Sequence, residues 1–382
     1  MTIVIKNGRI CNPRRVFIGD IEISGSQIKK VGYVDEEGDI VIDASNRLVF
    51  PGFIDLHIQG AGGADVLDGN QESLNVISKT CVKFGVTSFL ATTVYRPNKD
   101  NGHFAAALSA NEKGLEGARF LGFHIEGPFI SPQKRGMIRL SSICKPSSKV
   151  LEDIIDVTGG FLRMMTIAPE LEGSLEIIER LVDLSVVASF GHSSASYEET
   201  LMGIAAGISH VTHLFNAMNI MHHRSPGPLL AIFESKDVTA QIISDGVHVV
   251  PPMVRFAASI MGPERLVLIS DGMRAMGLPE GKYVYDGQEF ISRGGTARYL
   301  DGTLIGTTLG LNQLAKNFMK FTKLSLSEIS MVSSWNPALI LGLEDRKGKI
   351  EAGMDADITI LNKDFKVLKT IVNGRIVYSS EN

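Results

Sequence analysis

Residues 120–126 read Phe-Leu-Gly-Phe-His-Ile-Glu, an apolar run that ends on a carboxylate. A run this short and this apolar suits a strand buried on both faces, as in a parallel sheet. Seven others share its build: FIDLHI from Phe53, SFLATT from Ser88, LRMMTIAPE from Leu162, VVASFGH from Val186, HVTHLFN from His210, TAQIISDG from Thr239 and LVLISDGM from Leu266. Stretches of helical period separate them, and eight βα units argue for a closed barrel. The expected fold is therefore α/β, a (β/α)8 TIM-type barrel over residues 51–339. The segment from Gly281 to Leu304, rich in Gly, Tyr and Asp, reads as a hairpin excursion after the eighth strand.

The flanks have a different texture. TIVIKNGRI, DIEISGSQIKKVG and DIVIDASNRLVF at the start, and ADITILN and FKVLKTIVNGRIVYS at the end, alternate β-branched residues with Gly, Asn and Asp. Both ends are expected to supply strands to one small β-sandwich domain, 1–50 plus 340–382. Asn-Gly-Arg-Ile occurs at Asn7–Ile10 and again at Asn373–Ile376, and Asn-Gly is a strong hairpin-turn signal.

Composition narrows the function. The 382 residues are 44% hydrophobic and 21% charged with a net charge of -4, which implies no nucleic-acid or membrane-surface partner. The three cysteines are widely separated and form no CxxC motif, as expected of thiols in a reducing cytosol. The charged N-terminus lacks a signal core, and no apolar run approaches the ~20 residues of a membrane span, so a cytoplasmic protein is expected.

The polar residues gather at the C-terminal ends of the runs, where a barrel of this type builds its active site. Glu126 ends run three, His192 ends run five, His213 lies in the second half of run six and Asp271 near the end of run eight. Two imidazoles and a carboxylate that leave a coordination position open to water are the pattern of a catalytic divalent site. Side chains three apart on a strand face opposite ways. Only one of His210 and His213 can then face the axis, and His213 is nearer the mouth. His124 shares a face with Glu126 one layer deeper and reads as a supporting residue. Asp271 can take a proton from water and return it to the leaving amine. For His248, polarising a carbonyl and being an ordinary loop histidine fit the spacing equally well. Asn216, Ala217 and Arg224 could form an anion site, a weak signal by itself.

These motifs resemble the N-acetylglucosamine-6-phosphate deacetylase family of the amidohydrolase superfamily. PGFIDLHIQGAGG, HIEGPF, GHSSAS, VTHLFNAM, HHRSPG, DGVH, ISDGM and GTLIGTTL occur in the family's order along nearly the whole chain. GKIEAGMDADITIL resembles the superfamily's closing β-sandwich segment. The resemblance implies Glu126, His192 and His213 as ligands of one divalent metal ion. Zinc is favoured, with iron, manganese and cobalt compatible. It implies Asp271 as general base and acid, and His248 as the group that polarises the acetamide carbonyl. Met137, Asn216, Ala217, Arg224, His248 and the Leu304, Ile305, Gly306 loop would contact the sugar phosphate. It also implies a homodimer, with His222 and His223 either at a shared active-site edge or on the surface.

The chain departs from the family pattern in places. Where many members carry His-x-His on the first strand and can hold two metals, this one has His57 and Gln59. Glutamine ligates a borderline-soft ion poorly, so one tightly bound metal is expected, with His57 and Gln59 at most a weak second position. KRGMIRL places Ile138 where many relatives have histidine, and Ser225 replaces a common glutamate. Run four ends on Ile167, Ala168, Pro169 and Glu170, without the lysine that bridges two metals in some amidohydrolases. The expected reaction is hydrolysis of N-acetylglucosamine 6-phosphate. Its rivals are the galactosamine isomer, another amidohydrolase reaction, and a non-catalytic relative.

Overall fold

The eight apolar runs form eight strands, hydrogen-bonded in sequence order as one parallel sheet in a computed structural model that describes residues 1–35 and 37–380. They are β1 (Phe53–Ile58), β2 (Val86–Thr93), β3 (Arg119–Glu126), β4 (Leu162–Ile167), β5 (Val187–Phe190), β6 (His210–Val211), β7 (Thr239–Ile242) and β8 (Leu266–Leu268). A helix follows each: α1 (Gln71–Cys81), α2 (Gly102–Lys113), α3 (Ser148–Val157), α4 (Ser174–Asp183), α5 (Tyr197–Ala206), α6 (Gly227–Glu234), α7 (Pro251–Met261) and α8 (Leu311–Thr322). The seam between first and last strands is bridged just beyond β8. There Asp271 N–H donates to the His57 carbonyl at 2.9 Å and Gln59 N–H to the Gly272 carbonyl at 3.0 Å.

Local chemistry explains the alternation. β1 and β2 are buried at every position, as strands covered on both faces must be. The helices bury one stripe; in α4 it is Ser174, Ile177, Ile178 and Leu181, the three-and-four spacing of a helix face. Asn70 caps α1 by accepting from the amides of Glu72 and Ser73, and Ser196 with Glu199 forms a capping box on α5. The main core lies between the strands and these helices. At one point in it Phe123 meets Phe104 and Phe120 edge-on, with ring centroids 5.1 and 4.9 Å apart.

The terminal strands form a second sheet, as their alternation led us to expect. Leu48–Pro51 pairs with Thr2–Asn12 on one side and with Ile358–Leu361 on the other, which joins the two ends of the chain. This sheet has its own aliphatic core of Ile3, Ile5, Ile21, Ile23, Ile358, Ile371 and their neighbours. The two Asn-Gly pairs behave differently. Asn373 and Gly374, both at positive φ, make the two-residue turn between Val367–Val372 and Arg375–Ser379. Asn7 and Gly8 do not turn the chain. Asn7 also has positive φ, but it lies inside the strand Thr2–Asn12 at a register shift between Ile5 and Gly8, and its amide donates to Asp20 Oδ1 at 2.8 Å. This is a bulge, because the strand's partner continues past it and a turn there would sacrifice the pairing on both sides.

The excursion after β8 is longer than a hairpin. Its four antiparallel strands, Gly281–Tyr285, Gln288–Arg293, Thr296–Tyr299 and Leu304–Thr307, end in a bond from Thr307 N–H to the Asp271 carbonyl at 2.8 Å.

Candidate active site

Glu126 is the last residue of β3, and its carboxylate points into the mouth of the barrel. Its Oε1 lies 2.9 Å from His192 Nε2 and 3.1 Å from His213 Nε2, and the two Nε2 atoms are 3.1 Å apart. All three residues are buried. His192 and His213 are not strand residues: β5 ends at Phe190 and β6 at Val211. The alternation argument between His210 and His213 therefore has no strand to act on, although it selected the histidine that reaches the site. His192, His213 and Asp271 all have positive φ, at 49°, 30° and 49°. Each backbone twists as it leaves its strand, a strained conformation of the kind that gathers at functional sites. His210 stays below, with Nδ1 2.6 Å from Thr239 Oγ1.

The donor set fits a cation. His192 Nδ1 faces the Lys134 carbonyl at 2.7 Å, so the proton sits there and the Nε2 lone pair is left for the site. Glu126 Oε1 and the two Nε2 atoms stand about as far apart as donors that share one ion at ligand bonds of about 2.0–2.2 Å. Burial opposes ionisation of Glu126, but His57, His192 and His213 outweigh it and hold the carboxyl well below the usual range. Burial disfavours charge on His213, yet the hydrogen bond and charge of Glu126 reverse this and raise its pKa.

Asp271 and His248 face the same cavity of about 260 Å³. Burial pushes the Asp271 carboxyl up, while His248 and His213 moderate the shift. His248 Nε2 lies 3.7 Å from Asp271 Oδ2, and its Nδ1 is 2.6 Å from Asp245 Oδ2. The Asp245 side chain is buried, but the bond to His248 keeps its carboxyl low. Sequence reasoning passed over Asp245, although its place three residues before His248 was a signal. It also missed Gln133, Lys134 and Gly136, which line the cavity from the loop in which only Met137 had been expected at the substrate.

Beneath the cavity, His57 is fully buried, and burial holds its pKa well below the usual value. Gln59 occupies the space beside it. Its amide nitrogen is 3.0 Å from His57 Nε2, 3.2 Å from Asp271 Oδ1 and 3.5 Å from Glu126 Oε2. His124 lies under His57 with its ring centroid 4.7 Å away, bonded to the Leu56 carbonyl and Thr166 Oγ1. It touches none of the three clustered donors.

Of the residues expected at the sugar phosphate, Met137, Asn216, Ala217, Leu304 and Ile305 line the cavity. Gly306 stands behind that wall at φ 143°, where an added Cβ would come 2.6 Å from the Asp271 carbonyl. Arg224 is not brought to the cavity. It sits on an exposed loop, where its amide donates to His222 Nδ1 at 3.3 Å.

A barrel with this carboxylate–imidazole cluster at its mouth is the framework of an amidohydrolase, and the Amidohydrolase family model matches residues 48–377: the chain belongs to that family. Its relatives are more specific. It is 36% identical to the N-acetylglucosamine-6-phosphate deacetylase of Bacillus subtilis (strain 168) over 99% of this chain and 94% of that one. Among solved structures it resembles the N-acetylglucosamine-6-phosphate deacetylase of Thermotoga maritima, with TM-score 0.87, 34% identity and coverage of 99% and 100% of the two chains. It also resembles a mutant of the Mycobacterium smegmatis enzyme in complex with N-acetyl-D-glucosamine-6-phosphate, with TM-score 0.91, 30% identity and 99% of both chains.

Proposed function

We propose that the protein hydrolyses N-acetylglucosamine 6-phosphate to glucosamine 6-phosphate and acetate. The observation that carries this reading is the convergence of Glu126, His192 and His213 within bonding distance of one another, with Asp271 and His248 facing the same cavity.

Glu126, His192 and His213 would hold one divalent ion, which when bound acidifies water and polarises the acetyl carbonyl. Asp271 takes the proton from the attacking water and delivers it to the sugar nitrogen, so that the amine leaves neutral. A carboxyl raised by burial is suited to both halves of that transfer. Asp245 accepts a hydrogen bond from His248 Nδ1 and so fixes the orientation of the ring, whose Nε2 side faces the cavity where the acetamide oxygen gains charge. Met137, Asn216, Ala217, Leu304 and Ile305 form the sugar-phosphate wall. Arg224 takes part only if its loop moves or a second subunit presents it.

A single metal is part of the proposal. The Gln59 amide fills the space between His57, Asp271 and Glu126 with hydrogen-bond donors. Zinc is the proposed ion, since two imidazoles and a carboxylate are common zinc donors. A cytoplasmic homodimer belongs to the same reading, supported by the family resemblance and by Ile220 and Met221, which are 81% and 46% exposed beside His222 on the same loop. Among the described residues no helix is long and apolar enough to cross a membrane.

The test is acetate release from N-acetylglucosamine 6-phosphate, its galacto isomer and unphosphorylated N-acetylglucosamine, with metal content measured on the same sample. The expected order of kcat/KM is gluco above galacto, with the unphosphorylated sugar far below both. Preference for the galacto isomer, or indifference to phosphate, would overturn the assignment.

A further inference from the structure

We propose that Asp286, at the tip of the excursion and outside the cavity, is a positioning residue for the sugar-phosphate wall; this rests on the deacetylase reading above. Asp286 and Gly287 make the turn between Gly281–Tyr285 and Gln288–Arg293, both at positive φ. The Asp286 carboxylate receives two arginines from different barrel loops. Arg96, from the loop after β2, places Nη2 2.7 Å from Oδ1. Arg139, from the loop after β3, places Nε 2.8 Å from Oδ2, and its Nη2 donates to the Asp286 main-chain carbonyl. The Asp286 side chain is only 17% exposed, which sets this pair of bridges apart from freely solvated surface ion pairs.

The clamp is joined to the proposed substrate wall through its chain neighbours, since Tyr285 and Ile138 share one apolar cluster with Met137 and Ile305. Arg139 is two residues from Met137, which lines the cavity. Inward of it, Tyr285, Phe290 and Tyr299 of the excursion pack against Ile130, Met137 and Ile138 of the loop after β3, and Ile305 joins the same cluster. Apolar contact of this kind excludes water but sets no register, since it is non-directional. The carboxylate between two guanidinium groups supplies the register. Without its charge, Arg96 and Arg139 repel one another, the tip is released, and the loop carrying Met137 loses its stop. The other end of the excursion stays attached through Thr307 and the Asp271 carbonyl. Glu126, His192, His213 and Asp271 are fixed by the barrel, so the chemical step should survive a loosened wall.

The test compares wild type with Asp286→Asn, which keeps the shape and loses the charge, and Asp286→Glu, which keeps the charge. The expected result for Asp286→Asn is a KM for N-acetylglucosamine 6-phosphate raised by roughly tenfold or more, with kcat held within about twofold and metal content unchanged, a misplaced positioning contact having effects of that order. Asp286→Glu should recover most of the loss. A second readout needs no turnover: limited trypsin should cut after Lys134 or Arg135 faster in Asp286→Asn than in wild type. Arg96→Gln, which removes one arm of the clamp, makes the same comparison if Asp286→Asn does not fold. A folded variant with wild-type KM, or one whose kcat falls as far as its KM rises, overturns the proposal. If wild type releases no acetate from either amino-sugar phosphate, the deacetylase reading fails, and the trypsin comparison still decides whether Asp286 holds the wall.

Discussion

At the scale of single residues, the proposed mechanism separates ion-holding groups from a proton carrier. Glu126, His192 and His213 lie against one another, while Asp271 stands beside them, tied in through Gln59 and His57. Asp271→Asn should therefore lower kcat by about 10²–10⁴-fold, the usual worth of a positioned acid–base group, and leave bound metal at the wild-type level by elemental analysis. Gln59→His tests the single-ion proposal from the other side. It removes the amide donors from the space between Asp271 and Glu126 and restores a His-x-His pair with His57. Metal content should rise from one towards two ions per chain, and an unchanged value would show that something other than Gln59 excludes the second ion.

At the scale of elements, β3 carries two duties, because Glu126 ends it and Phe123 anchors its middle in the aromatic cluster. Phe123→Ala should cost about 3–5 kcal/mol of stability, the range for deleting a fully buried aromatic side chain, measured by denaturant unfolding; a cost below about 1 kcal/mol would mean the cluster can collapse around the gap. This scale also shows what the sequence made legible. Continuous apolar runs announced all eight strands, since burial on both faces favours apolar residues along most of each run. What happens after a strand ends was harder to read. β5 and β6 stop short of the histidines that reach the site, because the left-handed twists at His192 and His213 are tertiary in origin and non-glycine residues do not advertise them. The bulge at Asn7 was hidden for a similar reason. The same dipeptide serves as a turn at Asn373, and only the partner strand and Asp20 distinguish the two. Arg224 looked like an anion ligand by motif, yet its loop holds it outside the cavity. Motif order carries chemistry better than it carries the path of a loop.

At the scale of the whole molecule, burial of acids sets a pH dependence of stability. Asp65 is buried, and its carboxyl is pushed up to about 7, burial outweighing the bond from the Leu67 amide. Because the folded-state value exceeds the unfolded one, the folded chain holds this proton longer. The acid form favours folding below pH ~4, and the advantage is lost as pH rises towards 7 and levels off above it. Asp65→Asn should flatten that part of the stability profile, measured as unfolding free energy between pH 4.5 and 8. An unaltered slope would assign the dependence to other groups, Asp55 first among them, since burial pushes it too up to about 7.

The bond from the Asp271 amide to the His57 carbonyl lies where the barrel's first and last strands meet. The peptide that aims the carboxylate proposed as acid and base is thus also a staple that keeps the cylinder shut. A change that displaces this backbone would open the staves and misdirect the proton together, so tolerance to substitution around residues 270–272 should be lower than their side-chain chemistry alone would require. For anyone re-engineering the enzyme, the mouth loops are the interchangeable parts, and this joint is the one to leave alone.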